Sequence, residues 1–253
     1  MISIKELEEY AKLRNIKNIG YAEKDYFQNI LLFIISQNYG KNFIFKGGTA
    51  LNKCYGLNRF SEDLDFTCEE KPDLNKLENG LKNFKVEFET EKKEYSDEIK
   101  LILIIKGPLY IGIKNSMCKI IIDLSLREKV ILIAKIKTIG RFLNEIPSFD
   151  ILVMQEKEIY AEKIRTIITR NKARDVYDLW FLIKNNIKFD KNLVEEKLKY
   201  YKKKWSKKEF IKNINNKKDI WESELKPFLE NLPKFEEVKN EIIKSIQVTI
   251  QKL

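Results

Sequence analysis

The spacing of hydrophobic positions changes along the chain. Residues 4–15 read as a short helix. Within residues 22–38, Phe27, Ile30, Leu31, Ile34 and Ile35 recur every three or four positions, which predicts a well-buried second helix. Residues 42–45 form a brief apolar strand. Gly47-Gly48 breaks it and a helix restarts at Thr49, whose hydroxyl can cap the first turn. From Asp63 to Phe66 polar and apolar residues alternate, the period of a strand. Residues 73–82 suggest a helix, and 84–89, 99–106 and 118–126 are strand-like, with a turn signal at Lys106-Gly107-Pro108. Residues 130–139 are another β-rich run.

After Pro147 the texture changes. Residues 151–155 lead into a helix over 156–170, with Ile159, Ile164 and either Ile167 or Ile168 on one side. A further helix covers 174–185. From residue 190 the chain is helical in pattern, rich in Lys and interleaved with aromatics, and the period of residues 246–250 assigns them to neither element. The expected fold is α+β: a mixed sheet flanked by helices in residues 1–150, N-terminal helices included, followed by a helical domain over 151–253.

Composition narrows the chemistry. A chain of 253 residues that is 43% hydrophobic can build a sizeable core, and nine Gly with five Pro argue against a loop-rich protein. Its net charge of +10 favours an anionic partner such as nucleic acid. The absence of His removes Ser-His-Asp catalysis, Cys-His catalysis and His-based zinc sites together. Cys54, Cys68 and Cys118 are scattered without metal-ligand spacing, as expected of reduced thiols in a cytoplasmic protein. The charged N-terminus lacks a signal-peptide core, and no apolar run reaches the ~18 residues that span a bilayer, so no membrane partner is expected.

One constellation carries chemistry: a strand, Gly47-Gly48-Thr49, a helix, and a strand bearing Asp63 and Asp65. The glycine turn lets backbone approach a ligand, and the helix start offers N–H groups and a positive dipole end to phosphate. Asp63 and Asp65, two apart on a strand, face one way, and such a pair of like charges calls for a cation. Hard oxygen ligands suit Mg²⁺ or Mn²⁺. Asp123, which interrupts the apolar run after Lys119, is the candidate third carboxylate; the alternative is a strand-end residue capping a turn. Arg59 either binds phosphate or holds Asp63 in place. On the 156–170 helix, Lys163, Thr166, Ile167 and Arg170 share a stripe that could neutralise triphosphate charge. The alternative is a solvated face paired with Glu158 and Glu162. For Arg174 and Asp175 the alternative is a pair capping the next helix, and Asp178 shares the face of Asp175. Trp205 and Phe210, amid the lysines of residues 199–210, are expected in the core, while the lysines suit an RNA backbone.

Lys46-Gly-Gly-Thr-Ala-Leu followed by Arg59-Phe-Ser-Glu-Asp-Leu-Asp-Phe closely resembles the AbiEii-type nucleotidyltransferase toxins of the polymerase-β-like superfamily. Glu162-Lys163-Ile, Arg170 and Arg174-Asp175-Val-Tyr-Asp178-Leu resemble the family's C-terminal signature. The matched motifs run from about residue 43 to 184. The resemblance implies a polymerase-β-like sheet and transfer of a nucleotide from an NTP to an acceptor, for some members a tRNA 3′ end, by a toxin paired with an antitoxin. It implies that Lys46, Gly47, Gly48, Thr49, Arg59, Lys163 and Arg170 bind the nucleotide. Asp63, Asp65 and Asp123 would hold Mg²⁺ (or Mn²⁺). Lys163 would contact the NTP phosphates, with Asp175 orienting it or assisting the chemistry. The C-terminal domain would complete the cleft. Two other readings keep the fold: transfer to a protein or small molecule, and an inactive module that binds RNA or protein.

Overall fold

The computed structural model describes residues 1–140 and 146–250. They divide into two compact units: Met1–Cys54, Ser61–Val130 and Ala134–Val153 form the first, and Tyr55–Phe60, Ile131–Ile133 and Met154–Leu253 the second.

The first unit is a seven-stranded mixed sheet with helices. In chain order it holds α1 (Ile4–Leu13), α2 (Ile19–Asn38), β1 (Phe43–Lys46), α3 (Gly47–Tyr55, whose last residue belongs to the second unit), β2 (Leu64–Cys68), α4 (Asn75–Asn83), β3 (Glu87–Glu94), β4 (Glu98–Lys106), β5 (Cys118–Ser125), β6 (Lys135–Ile139) and β7 (Phe149–Val153). The strand order is β3-β4-β5-β2-β1-β7-β6. β2 runs parallel to β5 and β1 parallel to β7, while the other neighbours are antiparallel.

Local chemistry explains the boundaries. Ser3 and Glu6 close a capping box at the start of α1, and the Asn18 side chain accepts from Gly20 and Tyr21 at the start of α2. Phe27, Ile30 and Leu31 of α2 are fully buried, and Ile34 and Ile35 nearly so, as their spacing predicts. The opposite side of α2 buries polar groups instead: Asp25 meets Lys53 Nζ at 2.7 Å and accepts from Tyr10, which pins α1 and α3 to α2. All four residues of β1 are buried, as a central strand requires. β3 lies at an edge and is mostly exposed, and its run of Glu and Lys discourages pairing with another chain.

Three expectations are corrected. The strand expected at 84–89 lies at Glu87–Glu94, because an edge strand of charged residues has no apolar face to mark its register. Phe149–Val153 is a strand, parallel to β1, where the sequence showed only a lead-in to a helix. Ile246–Ile250, assigned to neither element, continue the last helix.

The second unit contains α5 (Glu156–Thr169), α6 (Ala173–Lys184), α7 (Lys191–Lys199), α8 (Lys207–Asn215), α9 (Trp221–Leu225) and α10 (Phe235–Ile250). α5 packs on α6, α7 and α8, and α6 packs on α9 and α10. Phe210 is buried as expected. Trp205 is only half-buried, its ring 5.0 Å from Phe189 and 5.3 Å from Phe210. No helix among the described residues is long and apolar enough to cross a membrane. The three cysteines are free thiols, and burial pushes each up to about 12.

Candidate active site

The sheet register builds a row of charge. Lys46 on β1 lies opposite Asp65 on β2, Asp65 opposite Asp123 on β5, and Asp123 opposite Lys100 on β4. Residues directly opposite one another in a sheet project from the same face, so this row presents its acids side by side between two lysines. Lys100 Nζ stands 3.2 Å from Asp123 Oδ1. Asp123 lies inside β5 rather than at a strand end, so turn capping is not its role.

Asp63 needs a finer description. It sits one residue before β2, at a bend, and not within the alternating strand. Its backbone oxygen accepts the Thr49 hydroxyl. That bond also corrects the expected cap: α3 begins at Gly47, so Thr49 is its third residue and ties the helix start to the acidic segment. Gly47 has a φ of +77°, and a Cβ there would lie 2.3 Å from Asp65 Oδ2. Only glycine allows the turn to approach this carboxylate so closely. Gly48 and Thr49 are buried, as is Lys46.

The electrostatics show crowding. Burial raises the Asp123 pKa to about 6, and the charges of Asp65 and Asp63 add to the rise while Lys100 opposes it. Burial alone would lower the Lys100 pKa, but the attraction of Asp123 outweighs it and the net shift is upward. Asp123 Oδ1 is buried without a hydrogen bond despite the nearby lysine. Among the described residues no three acidic or cysteine side chains are already gathered as a cage. The donor set nevertheless fits a hard divalent cation: carboxylate oxygens that repel one another, one of them lacking a hydrogen bond.

In the second unit the other candidate residues form one buried network. Lys163 Nζ meets Asp175 Oδ1 at 3.0 Å and Asp178 Oδ2 at 2.7 Å. Arg59 forks onto Asp178, with Nε to Oδ1 at 2.6 Å and Nη2 to Oδ2 at 2.7 Å. Arg170 forks onto Asp175 at 2.7 and 2.9 Å. Asp178 is thus an anchor of Arg59 within the second unit. Burial would raise the pKa of Asp175, but Lys163 and Arg170 outweigh it and hold the carboxyl far below its usual range. For Asp178, Arg59 and Lys163 likewise overcome burial, so its pKa is lowered. Carboxylates held ionised in this way are poor proton acceptors at neutral pH.

Glu158 and Glu162 do not partner Lys163. They take Lys197 at 2.7 and 3.3 Å on another side of α5, and Glu158 also accepts from the backbone of Ile131 and Leu132. The buried end of the stripe, at Lys163, is thus paired with Asp175 and Asp178 rather than with Glu158 and Glu162. Lys163 has 7% of its side chain exposed and Arg170 55%, so Arg170 is the network's cation most open to solvent. Arg174 lies over the Phe228 ring at 5.5 Å rather than forming a cap with Asp175.

Sequence reasoning missed Lys100 and placed Asp178 only as a rival of Asp175. The signal for Lys100 was present: it is the one charge within the apolar run of residues 99–105.

A mixed sheet that sets paired carboxylates beside a glycine turn and a helix start defines a candidate nucleotide-handling enzyme. The model of the family described as nucleotidyl transferase AbiEii toxin, Type IV TA system, matches residues 30–241, and the chain belongs to that family. It is a nucleotidyltransferase toxin of a toxin–antitoxin system, with an NTP as substrate and a cognate antitoxin as partner, and the family generally uses a divalent metal. Several solved structures share the fold. JHP933 from Helicobacter pylori is 20% identical, with 92% of this chain and 93% of that one covered and a TM-score of 0.64. A putative nucleotidyltransferase from H. pylori is 21% identical, with 91% and 94% covered and a TM-score of 0.63. MenT4, a nucleotidyltransferase toxin from Mycobacterium tuberculosis, is 18% identical, with 97% and 89% covered and a TM-score of 0.66. No curated protein matches significantly.

Proposed function

We propose that the chain transfers a nucleoside monophosphate from an NTP to an RNA acceptor, a tRNA 3′ end, in the cytoplasm, as the toxin of its pair. The observation that carries the reading is the register of Asp65 beside Asp123, with the Gly47 turn pressed against Asp65. Asp63, Asp65 and Asp123 would hold Mg²⁺ (or Mn²⁺). When bound, the cation supplies charge neutralisation for the triphosphate and favours ionisation of the attacking hydroxyl. Gly47, Gly48 and Thr49 bind phosphate at the start of α3, and Lys46 adds a positive charge beside Asp65. Arg59, Lys163 and Arg170 are assigned to nucleotide binding, with Asp175 and Asp178 fixing their direction. The net charge of +10 supports an RNA acceptor over a neutral small molecule.

The test is incubation of the protein with Mg²⁺, labelled NTPs and total tRNA. The expected result is label at RNA 3′ ends, reduced by about three orders of magnitude or more in Asp65→Asn, since the charge stabilisation lost is several kcal/mol. Label on protein alone contradicts the RNA acceptor. Full transfer by Asp65→Asn contradicts the carboxylate assignment.

A further inference from the structure

A cavity of about 620 Å³ opens within the second unit, bounded by α6, by Gly56 and Asn58, and by the residues just before α10. Its walls carry the rings of Trp180 and Phe181, the amides of Asn58, Asn185 and Asn231, and the ammonium of Lys184. No carboxylate is among the residues that line it. Trp180 and Phe181 are each half-buried. The indole is fixed, because Trp180 Nε1 donates to Glu241 Oε2 at 2.9 Å, and Glu241 is itself paired with Lys184 at 3.2 Å. Tyr177 Oη donates to Asn58 Oδ1 at 2.7 Å, which turns the Asn58 amide so that its nitrogen is the group left to donate. Asn58 and Tyr177 are the chain neighbours of Arg59 and Asp178, so the cavity adjoins the buried ion network.

This chemistry selects its ligand. Pre-positioned aromatic rings suit a flat π face, and side-chain amides can both donate to and accept from a heterocycle's edge. The single lysine is already paired with Glu241, so the site offers no dense positive charge for a triphosphate. We propose that the cavity is a stacking pocket for an unpaired base of single-stranded RNA. This deepens the proposed function and rests on its RNA acceptor.

The test uses the full chain with a single-stranded RNA oligonucleotide carrying 4-thiouridine. Photocrosslinks mapped by mass spectrometry are expected within residues 177–185 or 231–233. In fluorescence anisotropy with the same RNA, Phe181→Ala is expected to weaken binding by about ten-fold or more, the scale of one stacked base. Asn231→Ala, at an exposed position where folding is not at stake, is expected to weaken it by a few fold. The nucleotide KM is expected to stay unchanged in both. Crosslinks elsewhere, with both variants binding RNA like the parent, overturn the pocket and leave the RNA acceptor standing. A parent protein that binds no RNA overturns both.

Discussion

The two charged clusters solve opposite electrostatic problems. In the sheet, Asp65 and Asp123 are set side by side, and burial, with the charge of Asp65 adding to it, raises the Asp123 carboxyl to about 6. Among the helices, Asp175 and Asp178 are interleaved with Arg59, Lys163 and Arg170, and both pKa values are pulled down. The first arrangement presses acid against acid, with its lysines at the two ends of the row. The second carries one more cation than acid, and each acid is paired. A cluster that crowds its acids and a cluster that pairs them are different devices, and they should respond differently to the same perturbations.

The largest difference is expected in stability. Asp178→Ala leaves Arg59 buried without its carboxylate, which costs about 3–5 kcal/mol and lowers Tm by about 10 °C or more. Asp65→Asn relieves repulsion and should leave Tm unchanged or raise it. Thermal unfolding of the two variants side by side checks this, and equal losses would erase the distinction.

A smaller effect concerns metal and pH together. A carboxyl raised in the fold binds more protons folded than unfolded between its ordinary value and about 6, so its contribution to stability falls as pH rises through that window. A bound cation removes the repulsion. Millimolar Mg²⁺ is therefore expected to raise Tm by a few degrees at pH 8 and by much less at pH 5. A shift that does not depend on pH counts against the carboxylate pair as its origin. The smallest effect is at Lys100. Lys100→Met removes the charge opposing the rise, so the Asp123 titration, followed by carboxyl NMR, should move above its parent value. A downward movement would contradict the row of charge.

How much of this was legible in the sequence differs between the clusters for a physical reason. Gly47-Gly48, Asp63 and Asp65 are close in sequence, and turn and strand chemistry act over a few residues, so the pattern showed there. Lys100 reaches Asp123 only through the pairing of β4 with β5, and register across strands leaves no mark on spacing along one strand. Arg59 and Asp178 are 119 residues apart, a pairing that local reasoning cannot reach. β7 was hidden because its apolar stretch is only residues 151–153, which fits a strand and a buried helix lead-in equally. Thr49 clasps Asp63 instead of capping because α3 begins at Gly47, two residues before it.

The central claim is that Asp65 and Asp123 are held together for a divalent cation. Mn²⁺ binding, read by electron paramagnetic resonance on the parent, Asp65→Asn and Asp178→Asn, addresses it without any need for an acceptor. The expected result is saturable binding to the parent and to any folded Asp178→Asn protein, lost or weakened at least about ten-fold in Asp65→Asn. Unchanged Mn²⁺ affinity in Asp65→Asn would contradict it.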